Sequence, residues 1–377
     1  MTPDENTVTS KTGRDGDRIP LRRWFLGVGA FLLFAVSATG LIIRMPYVAF
    51  MPGDAFETEN RLSIECEASE CLDAYPSDGE IFFTTVSVRQ EPNLWEYLWL
   101  KTDDDVEFEK IEDVLGERTP EEHDQFNAQS MTRSKDVAVA VALQHLGYNA
   151  INVGALFVGA TIEGTPADGV LKAGDRLISI DGQPIITPES LLGILEGLDP
   201  NTEIDLTYAR MVNGVEVIKE VTLVLGPNPE DPARPFIGIQ PEPLIEYTEF
   251  DFDIDIDSAE VGGPSAGLAF TLATLDYLTE GDLTGGVEVA VTGTIWHDGS
   301  VGPIGGVLQK AAAVKDLGIK LFIVPANLPD EQLKELDRMS DSEFKVVPVS
   351  NLEEALVALE DNGGDIDPIR NYDPDNL

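Results

Sequence analysis

Histidine is nearly absent from this chain: among 377 residues only His123, His145 and His297 occur. Hydrolytic chemistry built on serine must therefore look beyond imidazole for its base. Cysteine is scarcer still. Cys66 and Cys71 enclose four residues; without a nearby histidine zinc is a poor fit, and a small disulfide loop in an oxidising compartment is the plain expectation. Neither a metal nor a cofactor is expected. Basic residues are few, 25 Lys and Arg against 68 Asp and Glu, which leaves a formal charge of −43. Such a surface repels phosphate, and no basic cluster outside the N-terminus offsets it, so nucleic acid is not an expected partner. The G-x-x-x-x-G-K-[ST] phosphate loop is missing too, and with it the expectation of ATP as a partner.

Long uncharged runs are also rare, with one exception. After Arg22-Arg23 the chain is uncharged from Trp24 to Ile43 and is closed by Arg44. About 20 helical residues cover ~30 Å, the thickness of a bilayer core, so residues 22–44 are expected to form a transmembrane helix. A cleaved signal peptide is the competing reading, but its apolar part should be shorter and end in a small-residue cleavage site. Lys11, Arg14, Arg18, Arg22 and Arg23 precede the run, whereas Arg44 and Arg61 follow it. The positive-inside rule then places residues 1–21 in the cytoplasm and the rest of a single-pass protein outside the cell membrane.

What remains is mixed α/β in pattern. Residues 45–150 are hard to read: Gly79 to Arg89 has strand character, Trp95, Tyr97 and Trp99 suit a satellite core or a membrane surface, and Ser130 to Leu146 has helical spacing. A proline-rich linker runs from Gly226 to Pro232. Beyond it Phe250 to Ile256, Val287 to Thr292, Leu321 to Val324 and Phe344 to Val349 read as strands with helices between them, and residues 361–377 as an acidic tail.

Two stretches carry chemistry. Gly262-Gly263-Pro264-Ser265-Ala266-Gly267 makes a sharp turn ahead of the apolar run Ala266 to Leu278, which sets a serine at the N-terminus of a buried helix where free N–H groups could hold an oxyanion. It also satisfies the G-x-S-x-G elbow, but that fold needs an acid and then a histidine downstream, and His297 alone is left. A glycine-rich turn capping a core helix would look the same. In the second stretch, Lys310 lies on a helical wheel between Val314 and Leu317. An unperturbed lysine near pKa ~10.4 is almost never neutral at pH 7, so a lysine base needs an apolar pocket that lowers its pKa by about three units. Lys315 also falls beside apolar positions, and a snorkelling lysine fits the same pattern, so the wheel does not choose.

The hexapeptide around Ser265, then Thr292-Gly293-Thr294-Ile295, Pro303-Ile304-Gly305-Gly306 and Lys310 resemble, in order and spacing, the proteolytic domain of Lon proteases. The resemblance, expected over residues 235–360, implies Ser265 as nucleophile, Lys310 as general base and Thr292 as a supporting hydroxyl. It departs from the ATP-dependent pattern at Gly262, where those enzymes carry an aspartate, and at Thr294, where they carry a glutamate. Val153-Gly154-Ala155-Leu156-Phe157, Gly164-Thr165-Pro166-Ala167, Leu171-Lys172-Ala173-Gly174-Asp175 and Ile180-Asp181-Gly182 resemble a PDZ domain, expected over 151–226. That likeness implies a peptide groove lined by Leu191 and Leu195, with the loop Val153, Gly154, Ala155 holding a terminal carboxylate; a PDZ unit that only packs against its neighbours is the alternative. The layout resembles membrane-anchored Lon-like serine proteases with a PDZ domain. It implies an ATP-independent Ser-Lys endopeptidase that takes protein or peptide substrates and is compatible with a homo-oligomer. The rival expectation is a catalytically silent PDZ adaptor at the membrane.

Overall fold

A computed structural model describes residues 21–66, 72–229, 231–259 and 261–374, with the backbone alone at 21–28 and at 30. The chain divides into two units, Met1–Met51 with Val88–Glu117, and Pro52–Ser87 with Arg118–Leu377.

In the first unit the uncharged run forms helix α1 (Leu21–Ile42). Phe31, Leu33, Phe34 and Ile42 are exposed along it. Among the described residues no helix is long and apolar enough to cross a membrane, so the expected transmembrane segment 22–44 is not supported. The expected cytoplasmic residues 1–20 lie outside the described part. Helix α2 (Leu94–Leu100) is capped by Asn93, whose side chain accepts from the Trp95 and Glu96 N–H groups. Its three aromatics divide. Tyr97 stacks on Tyr47 with ring centroids 5.4 Å apart and meets the edge of Phe108; Trp95 donates to the Ser37 carbonyl of α1; Trp99 is 72% exposed. A short helix α3 (Ile111–Leu115) ends the unit's ordered elements.

Among the described residues the second unit holds two large sheets and three two-stranded ones. One is parallel in the order Lys345–Val349, Leu321–Pro325, Glu288–Val291, Glu80–Gln90, and continues into residues 52–57 of the strand Tyr47–Glu57. Successive side chains of a strand alternate in facing, and a parallel sheet is covered on both sides. Ile81, Phe83, Val289, Val291, Leu321 and Ile323 therefore share one core with helices α4 (Pro120–His145) and, further on, α6 (Gly267–Leu278). The residues between them, Phe82, Ala290, Phe322 and Val324, face the opposite core, which contains Val307, Ala311 and Val314 of α7 (Val307–Asp316).

The expected boundaries change accordingly. Residues expected as a separate 45–150 region supply a central strand and the long helix α4 to the same core as residues after 250, because parallel strands pair across any sequence distance. Residues 151–247 form an independent antiparallel sheet in the order Ile239–Tyr247, Ile151–Thr161, Arg176–Ile180, Glu203–Val212, Val215–Val224, with α5 (Pro188–Glu196) against it and a core of its own. This unit extends past 226, and the presumed linker folds back within it: Gly226–Pro227 pairs with Pro235–Phe236. The described part of the expected acidic tail, residues 361–374, is not free either. A helical turn at Asp367–Arg370 buries Ile366 and Ile369 in the main core. Cys66, at the end of strand Leu62–Cys66, is disulfide-bonded; Cys71 lies outside the described residues.

Candidate active site

Thr292 follows the last residue of strand Glu288–Val291, at the carboxyl edge of the parallel sheet, where an open α/β sheet places its ligand sites. By the alternation of the strand it faces the side covered by α7, next after Ala290. From that helix Lys310 brings its Nζ to 2.9 Å from Thr292 Oγ1 and 2.8 Å from Ser265 Oγ. Ser265 reaches the same point from the other face, in the turn just before α6. The three residues singled out by the sequence are thus brought together.

The turn is shaped by a glycine and tied down by hydrogen bonds. Gly263 has φ +86, a left-handed conformation that a side chain disfavours. Ser265 itself is pinned at its carbonyl, which accepts from Gly293 N–H at 2.8 Å and from the Thr292 hydroxyl at 3.2 Å. Thr292 therefore links backbone and amine: it donates to the Ser265 carbonyl and accepts from Lys310.

Lys310 is 2% exposed. Burial alone pulls its pKa down from the ordinary amine value to about 7, since a low-dielectric surrounding penalises the ammonium. No carboxylate opposes the shift. Lys315, the other lysine on the helix, points away and donates to Met339 O at 2.8 Å and to Asp341 Oδ2 at 2.9 Å. His297 lines a different cleft with His145, Asp298 and Glu353; among the described residues no histidine is hydrogen-bonded to Ser265. No group of three or more metal-ligating side chains is found among the described residues.

Val153, Gly154 and Ala155 do not form a loop. They lie within strand Ile151–Thr161, where Val153 is opposite Ile245 and Ala155 opposite Leu244. A Cβ on Gly154 would sit 2.3 Å from the Glu246 carboxylate, so the glycine marks a close cross-strand approach and not a ligand loop. Leu191 and Leu195 do line a cleft, of about 500 Å³, but its other wall is Pro235 to Ile239 and Pro241. That wall runs into Ile239–Tyr247, an edge strand of its sheet.

Residues 245–360 match the family model of the Lon protease (S16) C-terminal proteolytic domain. The chain carries a Lon-type proteolytic domain. Residues 157–210 match a PDZ domain model. The Lon protease of Desulfatibacillum aliphaticivorans is 33% identical over 112 residues, 29% of this chain and 13% of that protein. That of Aquifex aeolicus is 34% identical over 121 residues, 32% of this chain and 15% of that protein; that of Chloroflexus aggregans is 33% identical over 122 residues, covering 32% and 14%. The chain thus spans about a seventh of these relatives' length. Among solved structures, GtR34C from Geobacillus thermodenitrificans is 31% identical over 23% of this chain and 95% of that one, with a TM-score of 0.20, too slight to bear on the fold.

The Lon-type site also draws on residues that sequence reasoning passed over. Two belong to α4: Asn127, whose carbonyl accepts from Gly263 N–H at 2.8 Å, and Ser134, whose hydroxyl donates to Pro264 O at 3.0 Å. A signal was present for Ser134. It stands at helical spacing with Met131, Ala138 and Val141 and is the polar member of that buried stripe.

Proposed function

We propose that the chain is an ATP-independent serine endopeptidase with a Ser265–Lys310 dyad. The observation that carries this is the 2.8 Å approach of a buried, uncompensated amine to a serine hydroxyl at the mouth of a helix. Lys310 in its neutral form takes the proton as Ser265 Oγ attacks the peptide carbonyl carbon, and the oxyanion lies toward the N–H groups that open α6. When the C–N bond breaks, the Lys310 ammonium returns its proton to the leaving amine. A water then deprotonated by the same amine hydrolyses the acyl-enzyme, and Lys310 protonates Ser265 Oγ. Thr292 holds the lysine and the nucleophile's carbonyl in register.

Flexible or unfolded protein segments are the proposed substrates, since this sequence has no phosphate loop to drive unfolding. Recruitment through the PDZ unit is supported by an edge strand beside a helix, the arrangement that accepts an added peptide strand. The groove in this reading lies between α5 and residues 235–241. Attachment to a membrane with the protease outside is part of the same proposal; the exposed apolar face of α1, the neighbouring exposed Trp99 and the basic residues ahead of the run support it. The test is incubation of the full chain, in detergent or lipid, with unfolded casein and no nucleotide. Cleavage that disappears in Ser265→Ala is expected; an intact substrate would favour the silent adaptor.

A further inference from the structure

Ser134 lies inside α4 and is 5% exposed. A serine within a helix commonly turns its hydroxyl back to the carbonyl four residues earlier. Ser134 instead donates across to Pro264 O at 3.0 Å. The peptide group it holds is the one that carries the Ser265 N–H. In a planar trans peptide the carbonyl and the N–H point opposite ways, so fixing the first fixes the second.

The Pro264 carbonyl also accepts from Gly267 N–H at 3.3 Å, so Ser134 is the nearer of its two donors and the one that comes from outside the turn. From the opposite side, Gly293 N–H and Thr292 Oγ1 take the carbonyl of Ser265 itself. The nucleophile is therefore clamped between α4 and the end of the central strand. Gly267 makes the approach of α4 feasible: a Cβ there would lie 2.8 Å from Ser134 Oγ and 3.0 Å from Ile295 Cγ2. A side chain on Gly267 would push α4 off the turn.

We infer that Ser134 is a positioning residue for the nucleophile, setting the Pro264–Ser265 peptide plane and with it the aim of the Ser265 N–H at the oxyanion and of Oγ at Lys310. This rests on the proposed dyad. Its contribution falls on the rate of acylation and not on substrate binding, because the hydroxyl is covered and faces the backbone. The Lys310 base is untouched by it.

The test compares Ser134→Ala and the near-isosteric Ser134→Cys with the unaltered full chain on a peptide substrate, across pH and with thermal melting alongside. In Ser134→Ala, kcat is expected to fall about 10- to 100-fold, the range that small misplacements of reacting groups bring. KM, the midpoint of the pH profile and the melting temperature should stay in place, with Ser134→Cys between the two. A kcat within twofold of the unaltered chain overturns the inference, as does a loss that vanishes once the assay temperature is set below each variant's melting transition. If Ser134→Ala does not fold, Ser134→Cys decides by the same kcat criterion. Ser265→Ala run in parallel separates the readings: activity surviving there overturns the dyad itself, whereas an inactive Ser265→Ala beside an unimpaired Ser134→Ala overturns only the positioning role.

Discussion

The two ends of α7 hold the same side chain in opposite circumstances. Near its start Lys310 is covered, meets two hydroxyls and no carboxylate, and has its pKa pulled down to about 7. Near its end Lys315 runs its stem past Phe344, its Nζ 5.5 Å from the ring centroid, and finishes in an ion pair with Asp341 whose two side chains are about half exposed. Both sit beside apolar positions of one helix. What divides them is the segment each faces: the end of a buried strand in one case, a solvent-facing turn before the last strand in the other. A lysine loses its charge through what is missing around it, and the missing groups belong to other parts of the chain.

The contrast predicts a graded set of effects. The largest belongs to Lys310→Arg, in which a guanidinium stays charged and cannot accept the serine's proton. Its kcat/KM on a peptide should drop by at least ~10³ to the floor set by Ser265→Ala, as groups acting as one unit do. Substantial residual turnover would end the comparison.

Next is the response to pH. Only the neutral amine works, so log kcat/KM should climb with a slope near one and level off above about pH 7, where the depressed lysine has lost its proton. Stability should carry the same signature. The unfolded chain keeps the proton up to the ordinary value of 10.5 while the folded chain has released it by about 7. Stability contributed at this residue is therefore least below pH 7 and recovers between pH 7 and 10.5. Chemical denaturation of Lys310→Met across that window should show the rise flattened; an unchanged rise would mean the amine is solvated.

The smallest effect belongs to Lys315→Met. An exposed ion pair contributes little to stability, so activity should stay within about twofold and the denaturation midpoint should move little. A large loss of activity with normal folding would exchange the roles of the two lysines.

How much of this was legible depended on distance along the chain. Ser265, Thr292 and Lys310 lie close enough in sequence for their motifs to be read together, and the structure joins them at one point. Glu80–Gln90 and Glu288–Val291 both carried strand patterns, but their pairing could not be read, because a parallel pair has no local turn to announce it. The place of residues 45–129 in the fold was hard to read for that reason, and so was the contact of α4 with the turn at Ser265. At Val153 to Ala155 the PDZ likeness implied a carboxylate-holding loop, whereas these residues lie within a strand and Gly154 admits the Glu246 side chain. The acidic end misled through composition: Ile366 and Ile369 are two apolar anchors among charges, enough to dock one helical turn.

One feature of the architecture bears on how the molecule is made. The PDZ unit leaves the chain at Ala150 and returns at Thr248, and the two points are joined by a hydrogen bond of 2.9 Å from Thr248 N–H to Ala150 O. During synthesis the strand Glu80–Gln90 and helix α4 emerge long before the residues that complete their core, and must wait with apolar faces uncovered. Because the inserted unit has its own core, it can fold first and bring its two ends together. The loop still to be closed then shrinks from roughly a hundred free residues to a few, and the entropy of closing it shrinks with it. A module proposed to gather substrates would thereby also act on its own chain, as the clasp that lets the two halves of the main core find each other.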